Sequence, residues 1–490
     1  MKKFVVIIIV VIVSAMISYK FHSKIESFNN VIQAKFSSQP VDEIEQIASL
    51  KEHIKISISP ENIDVLEKYV GTALEQNLIG EKEKKWLAAS LEINSKKILS
   101  KLRLKGDNTD HIGSNKWSFK VKNDSAVFAI QHPKTRSYLY EWILHKAYRE
   151  KGILTTNYDF VNVTLNEDYK GIYAKEEAIN ASYLKARNLP LSPILKFEED
   201  DTWEEALVNK FVSTGTYMNS SISGYVKESS KGKIKEAIDK LRSFQSGKLN
   251  SLENNFNLEL WAKYFAVTEV FGALHGARWV NIRFYYNPQT LKFDPVGYDA
   301  SELAMSSIVA AAYRDDPRIT EISNEQYLRG FFQNNKFVKI YNKELEEMLK
   351  NNFVTEVFES NKEQYQYLQK ELKKEFALDN DWEKLLSSRH EMLEKVYTPY
   401  EPIRAFYNDS NNLLVGNKFF LPIELIKMET GKGEINLERQ IIPQKSLKAN
   451  LDYHLIPIGK QEIRNEGYVF FKILGQEKIF KTSIKKPYKL

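Results

Sequence analysis

Residues 271–301 read FGALHGARWVNIRFYYNPQTLKFDPVGYDAS, and their pattern decides the local fold. Ile282, Phe284 and Tyr286 alternate with Arg283 and Tyr285, Asn287-Pro288-Gln289-Thr290 supplies turn chemistry, and Leu291 to Tyr298 returns, so the segment is a hairpin. Such a hairpin folds Asn281, at the mouth of the first strand, back toward Asp299, at the exit of the second. An amide oxygen beside a carboxylate suits Mg²⁺, a hard cation that takes oxygen ligands and keeps several waters. A surface hairpin with ordinary turn polars has the same spacing, so the hairpin alone leaves both readings open.

Two upstream blocks bear on that choice. Leu102 to Lys122 reads LRLKGDNTDHIGSNKWSFKVK, and Gly171 to Ile179 reads GIYAKEEAI. They combine a strand ending in Lys-Gly-Asp, a Lys-Trp-Ser-Phe-Lys strand and a Gly-x-Tyr turn followed by Glu. Together with the Asn-to-Asp hairpin, and in this order, they resemble the CotH kinase family, the spore-coat-protein-H-like atypical kinases. The similarity runs from near Ser90 to Ser301 and continues more weakly beyond.

The resemblance implies an α+β, atypical protein-kinase-like two-lobed fold with a mixed β N-lobe and a helical C-lobe. It also implies ATP and Mg²⁺ (or Mn²⁺) as cofactors and a protein substrate of the cell surface or coat. Phosphoryl transfer needs a cation near the phosphates, metal ligands and a group that orients the acceptor hydroxyl. Lys105, Lys116 and Lys120 are candidates for the cation. The resemblance points to the strand from Lys116 to Lys120, with Lys116 in a catalytic and nucleotide-binding role and Lys120 as a second nucleotide-binding residue. Lys120 and Lys122 also share a face opposite Trp117, Phe119 and Val121, as on any solvated strand. Glu177 matches the family's Glu after Gly-x-Tyr and is expected to pair with a lysine or line the nucleotide pocket, with Glu176 as its solvent-facing neighbour. Asn281 and Asp299 are the expected metal ligands, as in protein kinases, where a catalytic-loop Asn and a later Asp play those parts.

One position departs from the family. Gly272-Ala273-Leu274-His275-Gly276 places His275 where spore-coat members carry the Asp that acts as base. A neutral imidazole can accept a hydroxyl proton, and His275 is the expected base; a purely structural histidine is the other reading. No GxGxxG or GxxxxGK[ST] loop occurs, and the resembling family dispenses with one. Nor is there an HExxH zinc motif or a GxSxG nucleophile elbow.

The 490 residues, 43% of them hydrophobic and 12% aromatic, supply material for two or three cores. Lys and Arg number 70 against 64 Asp and Glu, spread without a basic stripe, so no nucleic-acid partner is expected. The absence of cysteine excludes disulfides and thiolate chemistry and is compatible with an exported bacterial protein. Met1-Lys2-Lys3 precedes an almost wholly apolar run, Phe4 to Tyr19, without a clean small-x-small cleavage site. We expect an uncleaved signal anchor over 1–22, with the lysines in the cytoplasm and the body in the cell envelope outside it. ATP is scarce there, so a kinase would need another donor, modification before export or the opposite topology.

Further expectations are a polar helical stalk over 23–53, the kinase-like domain over 54–405 and a small C-terminal β domain, a sandwich or cap, over 406–490. Within the kinase-like part, Ser59-Pro60-Glu61-Asn62 starts a helix, Tyr138 to Tyr148 and Leu258 to Phe271 are helical, and 227–233 is an exposed loop between lobes. Phe331 to Leu349 and Phe353 to Phe376 are long helices. Two classes of function remain: an atypical Mg²⁺-dependent protein kinase anchored to the envelope, and a catalytically inactive relative serving as an envelope assembly or adhesion module. Oligomeric state is not legible.

Overall fold

A computed structural model describes residues 48–485 of the protein, apart from 200–216, 218–219, 227–228, 250, 302, 305, 314–325, 409–410, 432, 438–439, 446–449 and 460–466. The expected anchor lies outside the described residues, and so does the stalk up to residue 47. Residues 48–52 are non-helical and packed down, with the Asn162 amide donating to Ala48 O at 2.7 Å. Among the described residues no helix is long and apolar enough to cross a membrane.

The chain first builds a closed barrel. Its strands are β1 (His53–Ser57), β2 (Leu87–Ile93), β3 (Lys96–Leu104), β4 (Phe119–Lys122), β5 (Val127–Gln131), β7 (Tyr158–Leu165) and β8 (Asp168–Glu177), in the order β1-β2-β3-β4-β5-β8-β7. Closure comes from β1, antiparallel to β2 on one side and parallel to β7 on the other. Every second residue faces the same way, so Ile54, Ile56, Leu91, Leu102, Leu104, Phe119, Val121 and Tyr173 form one apolar core. Helix α1 (Pro60–Gln76) adds Leu66, Val70 and Ala73; its start is the expected one, with Ser59 capping Asn62 N and Pro60 in the first turn.

Strand β8 is buried on both sides. Tyr173 points into the barrel core, whereas Ile172 and Ala174 belong to a larger core shared with helix α2 (Leu139–Glu150) and helix α3 (Leu258–Phe271). That larger core also covers a second sheet, β10-β9-β11-β12-β6, built from β6 (Leu154–Thr155), β9 (Ile194–Phe197), β10 (Ile222–Gly224), β11 (Arg283–Asn287) and β12 (Lys292–Gly297). The expected hairpin is β11–β12, paired from Arg283↔Val296 to Asn287↔Lys292. Helix α3 is apolar nearly all round because it is buried nearly all round, and Trp261 Nε1 donates to Phe293 O at 2.9 Å, fastening it to the hairpin.

The fold is α+β, with several boundaries moved. Instead of an exposed loop over 227–233, a helix begins at Lys231, because Ser230 caps it through Lys233 N. The helix expected over Phe353–Phe376 is two, α5 (Phe353–Ser360) and α6 (Lys362–Leu372), interrupted at Asn361; α4 (Asn335–Lys350) starts after its cap Asn334, and α7 (Trp382–Val396) completes the helical layer. The strands of the tail form one connected sheet with a core of its own. Its strands, β13 (Ile403–Tyr407), β14 (Asn412–Asn417), β15 (Ile423–Thr430), β16 (Gly433–Asn436), β18 (Tyr453–Pro457), β19 (Gly467–Ile473) and β20 (Ile479–Lys485), follow the order β16-β15-β19-β20-β13-β14-β18, and β17 (Ile441–Ile442) adds to β15. The turn between β19 and β20 docks on α4: the Asn342 amide donates to Leu474 O at 2.7 Å, and Gly475, at φ +92°, lies so close that a Cβ there would sit 2.2 Å from Lys339 O. Phe419, Leu421, Ile473 and Leu474 join the larger core.

Candidate functional site

Helix α3 ends at Gly272 in the left-handed region, φ +66°, and a short 3₁₀ turn, Leu274–Ala277, carries His275. Gly276 passes so close to the end of β12 that a Cβ would lie 2.7 Å from Tyr298 O. This approach brings the two ends of the hairpin together. The Asn281 amide donates to His275 O at 3.0 Å, and His275 Nε2 lies 3.6 Å from Asp299 Oδ1. Asp299 and Ser301 both have φ +55°, a conformation that side chains rarely adopt without outside support.

Asp299 is 7% exposed and meets Arg136, whose Nη2 donates to Oδ2 at 2.8 Å. Its other oxygen, Oδ1, is buried without a hydrogen-bond partner among the described residues. Burial raises the Asp299 carboxyl, but Arg136, His275 and Lys105 outweigh it, so the group ionises below its ordinary value. Burial pulls the His275 imidazole below 6.5, with Asp299 partly opposing, so its neutral form persists to lower pH. Asp110 lies in the field of Arg136, Lys105 and Asp299; burial raises its carboxyl, and its Oδ1 is a second buried acceptor without a partner among the described residues.

Beside this stands a row of residues running across four barrel strands. Arg103 on β3 pairs with Lys120 on β4, Lys120 with Ala129 on β5, and Ala129 with Glu176 on β8. All four point away from the barrel core, because Leu102, Leu104, Phe119, Val121 and Ile130 take the alternate positions inside it. Glu176 is 3% exposed and accepts from Lys105 Nζ at 2.9 Å; Lys105 also donates to Gln131. The Lys120 amine is half-buried and pushed down to about 8, by burial first and then by Arg103 and Lys105.

Several of these side chains lie elsewhere than the sequence reading put them. Glu176, read as the solvent-facing neighbour, is the buried member, and Glu177 binds Arg187 at 2.7 Å and accepts from Asn157 N at 3.0 Å. Lys116 is committed elsewhere: its Nζ pairs with Glu375 Oε1 at 2.6 Å and donates to Ile172 O at 3.2 Å and to Lys170 O. Lys105, weighed as a candidate cation, is the lysine in the field of Asp299, and His275, Asn281 and Asp299 are adjacent. Arg136 had no signal in the sequence, since a lone arginine in HPKTR reads as a polar turn. Among the described residues no three His, Asp or Glu side chains cluster as a metal site.

A family model described as CotH kinase protein matches residues 103–413, from β3 into β14. No curated protein matches the chain. Because that model covers more than half of the sequence and contains every element carrying the cluster around Asp299, the chain belongs to the CotH kinase family.

Proposed function

We propose that the protein is an atypical Mg²⁺-dependent protein kinase of this family, held at the cell envelope by its N-terminal apolar segment and acting on a surface or coat protein. The observation carrying this reading is the orphaned buried oxygen of Asp299, which faces the His275 ring, while the Asn281 amide is bonded to the backbone of that same histidine. A buried carboxylate oxygen without a donor is costly unless a cation or proton meets it. One carboxylate and one amide oxygen fit Mg²⁺, which typically takes only one or two protein carboxylates and completes its shell with phosphate and water oxygens. In this reading Asp299 and Asn281 hold the metal, whose contribution when bound is to neutralise charge on the nucleotide phosphates.

The remaining roles belong to the chain itself. Lys105, oriented by Glu176 as a kinase lysine is by its glutamate, reaches the phosphates, and Lys120 adds positive charge along the same row. His275 Nε2, neutral near pH 7, accepts the proton of the acceptor hydroxyl. The second reading, a non-catalytic assembly or adhesion module, is favoured by two specific features: a histidine at the family's aspartate position and an Arg136 that already neutralises Asp299.

Thermal denaturation with ATP and Mg²⁺ or Mn²⁺ separates the two. Stabilisation that disappears in Asp299→Asn, with loss of phosphate transfer to a hydroxyl acceptor and an unchanged apo melting curve, supports the kinase. A wild-type chain that ATP and metal leave unshifted supports the module instead.

A further inference from the structure

The unusual backbone at Asp299 is held by groups that no part of the proposed chemistry uses. Glu141, in the first turn of α2, is fully buried, and its Oε2 accepts from Ala300 N at 2.9 Å and Ser301 N at 3.3 Å. The Ser137 hydroxyl completes the grip by donating to Ser301 O at 2.6 Å. Behind Glu141, His145 Nε2 meets Oε1 at 2.9 Å, and His145 Nδ1 faces Thr155 Oγ1 at 2.6 Å and Thr156 O at 2.8 Å. Thr155 commits its own hydroxyl hydrogen to Gly297 O at 2.9 Å, at the exit of β12. Both ring nitrogens of His145 therefore face oxygen atoms, Nδ1 those of Thr155 and Thr156 and Nε2 that of Glu141.

A Thr-His-Glu series has the outline of a nucleophilic triad, but exposures of 2%, 1% and 0% leave no route for a substrate. The series ends on the two backbone N–H groups that follow Asp299. We propose that Glu141, braced by His145 and Thr155, is the positioning residue for the Asp299 carboxylate, pinning Asp299 and Ser301 in left-handed conformations so that Oδ1 faces His275. The inference rests on the kinase reading, since it assigns a task to Asp299. The carboxylate is required because the site presents only donors: two backbone N–H groups on one side and the His145 N–H on the other. An amide would turn its own N–H₂ toward one of them.

The test uses Glu141→Gln in the full-length chain with two readouts, Mn²⁺ binding in the presence of ATP by electron paramagnetic resonance and amide hydrogen exchange over 297–303. The expected result is an Mn²⁺ affinity lowered roughly 10–100-fold, the usual loss when the support of a ligand is removed, with faster exchange in that peptide and unchanged exchange in the C-terminal sheet. Asp299→Asn serves as the contrast, losing Mn²⁺ while its loop stays protected. Undiminished Mn²⁺ binding or unchanged loop exchange in Glu141→Gln overturns the proposal. A wild-type chain that binds no Mn²⁺ overturns the kinase reading instead, and loop exchange alone then decides whether Glu141 holds the loop. If Glu141→Gln fails to fold, the isosteric Thr155→Val must move both readouts in the same direction, and no movement counts against the proposal.

Discussion

Glu375→Gln gives a sharp test of how the helical layer grips the barrel. Glu375 lies just beyond α6; its Oε1 pairs with Lys116 at 2.6 Å, and its Oε2 accepts from Ile172 N at 2.6 Å. Gly171, at φ +78°, makes room for it, since a Cβ there would sit 2.2 Å from Oε2. The two charged side chains are 9% and 6% exposed, so solvent screens them little. At an effective dielectric constant near 20 their attraction is about 6 kcal/mol, offset by a desolvation cost of several kcal/mol for each ion. The intact pair is thus near break-even, whereas the variant leaves Lys116 buried and uncompensated and should lose about 3–5 kcal/mol. Lys116→Met combined with Glu375→Leu should recover most of that.

The same variant has a signed pH dependence. Burial, only partly opposed by Glu375, already holds the Lys116 amine below 10.5, and removing Glu375 lowers it further. Between the folded and unfolded values the folded chain binds fewer protons, so stability rises with pH across that window. The window opens at lower pH in the variant, and its deficit should shrink from pH 7 to pH 9.5. Urea unfolding followed by tryptophan fluorescence measures both effects. A loss below about 1 kcal/mol, typical of an exposed pair, or a deficit growing with pH, would refute the reasoning.

Two further outcomes follow from the proposed reading. His275→Ala should lower turnover by roughly 10²–10⁴, the usual worth of a general base, with nucleotide affinity unchanged, and His275→Asp should preserve or raise turnover; with the imidazole held below 6.5, the acid limb of the wild-type profile should fall under pH 6.5, and a limb above it argues against this base. Full-length protein should sediment with membranes through its N-terminus, and a soluble mature form beginning near His22 would show a cleaved signal peptide instead.

The hairpin was readable because its signals are local: alternation in one strand, turn residues, alternation in the next. The barrel's closure was not, because the parallel pairing of β1 with β7 joins Ile54 to Val163, over a hundred residues apart, and leaves no mark on either strand. The exchange of Glu176 and Glu177 has a similar origin. Strand β8 is buried on both faces, so alternation cannot say which glutamate lies inside; that depends on Lys105, far upstream, and on the helices behind Ile172 and Ala174. The pairing of Lys116 with Glu375 was not readable, because Glu375 lies in a polar run, KKEF, that reads as a solvated helix end. His275 was placed beside Asn281 and Asp299 for the opposite reason, since one short segment delivers all three.

The match to the family stops at residue 413, inside β14, yet the chain does not become a separable piece there. Phe419, Leu421, Ile473 and Leu474 complete the core begun by α3, and the β19–β20 turn rests on α4 through Asn342. The tail is therefore not a module that recombination can trade without cost. A substitute would have to match the surface of α4 and refill the same apolar gap, so the helical layer and the sheet are bound to change together over evolutionary time, each limiting which replacements the other accepts.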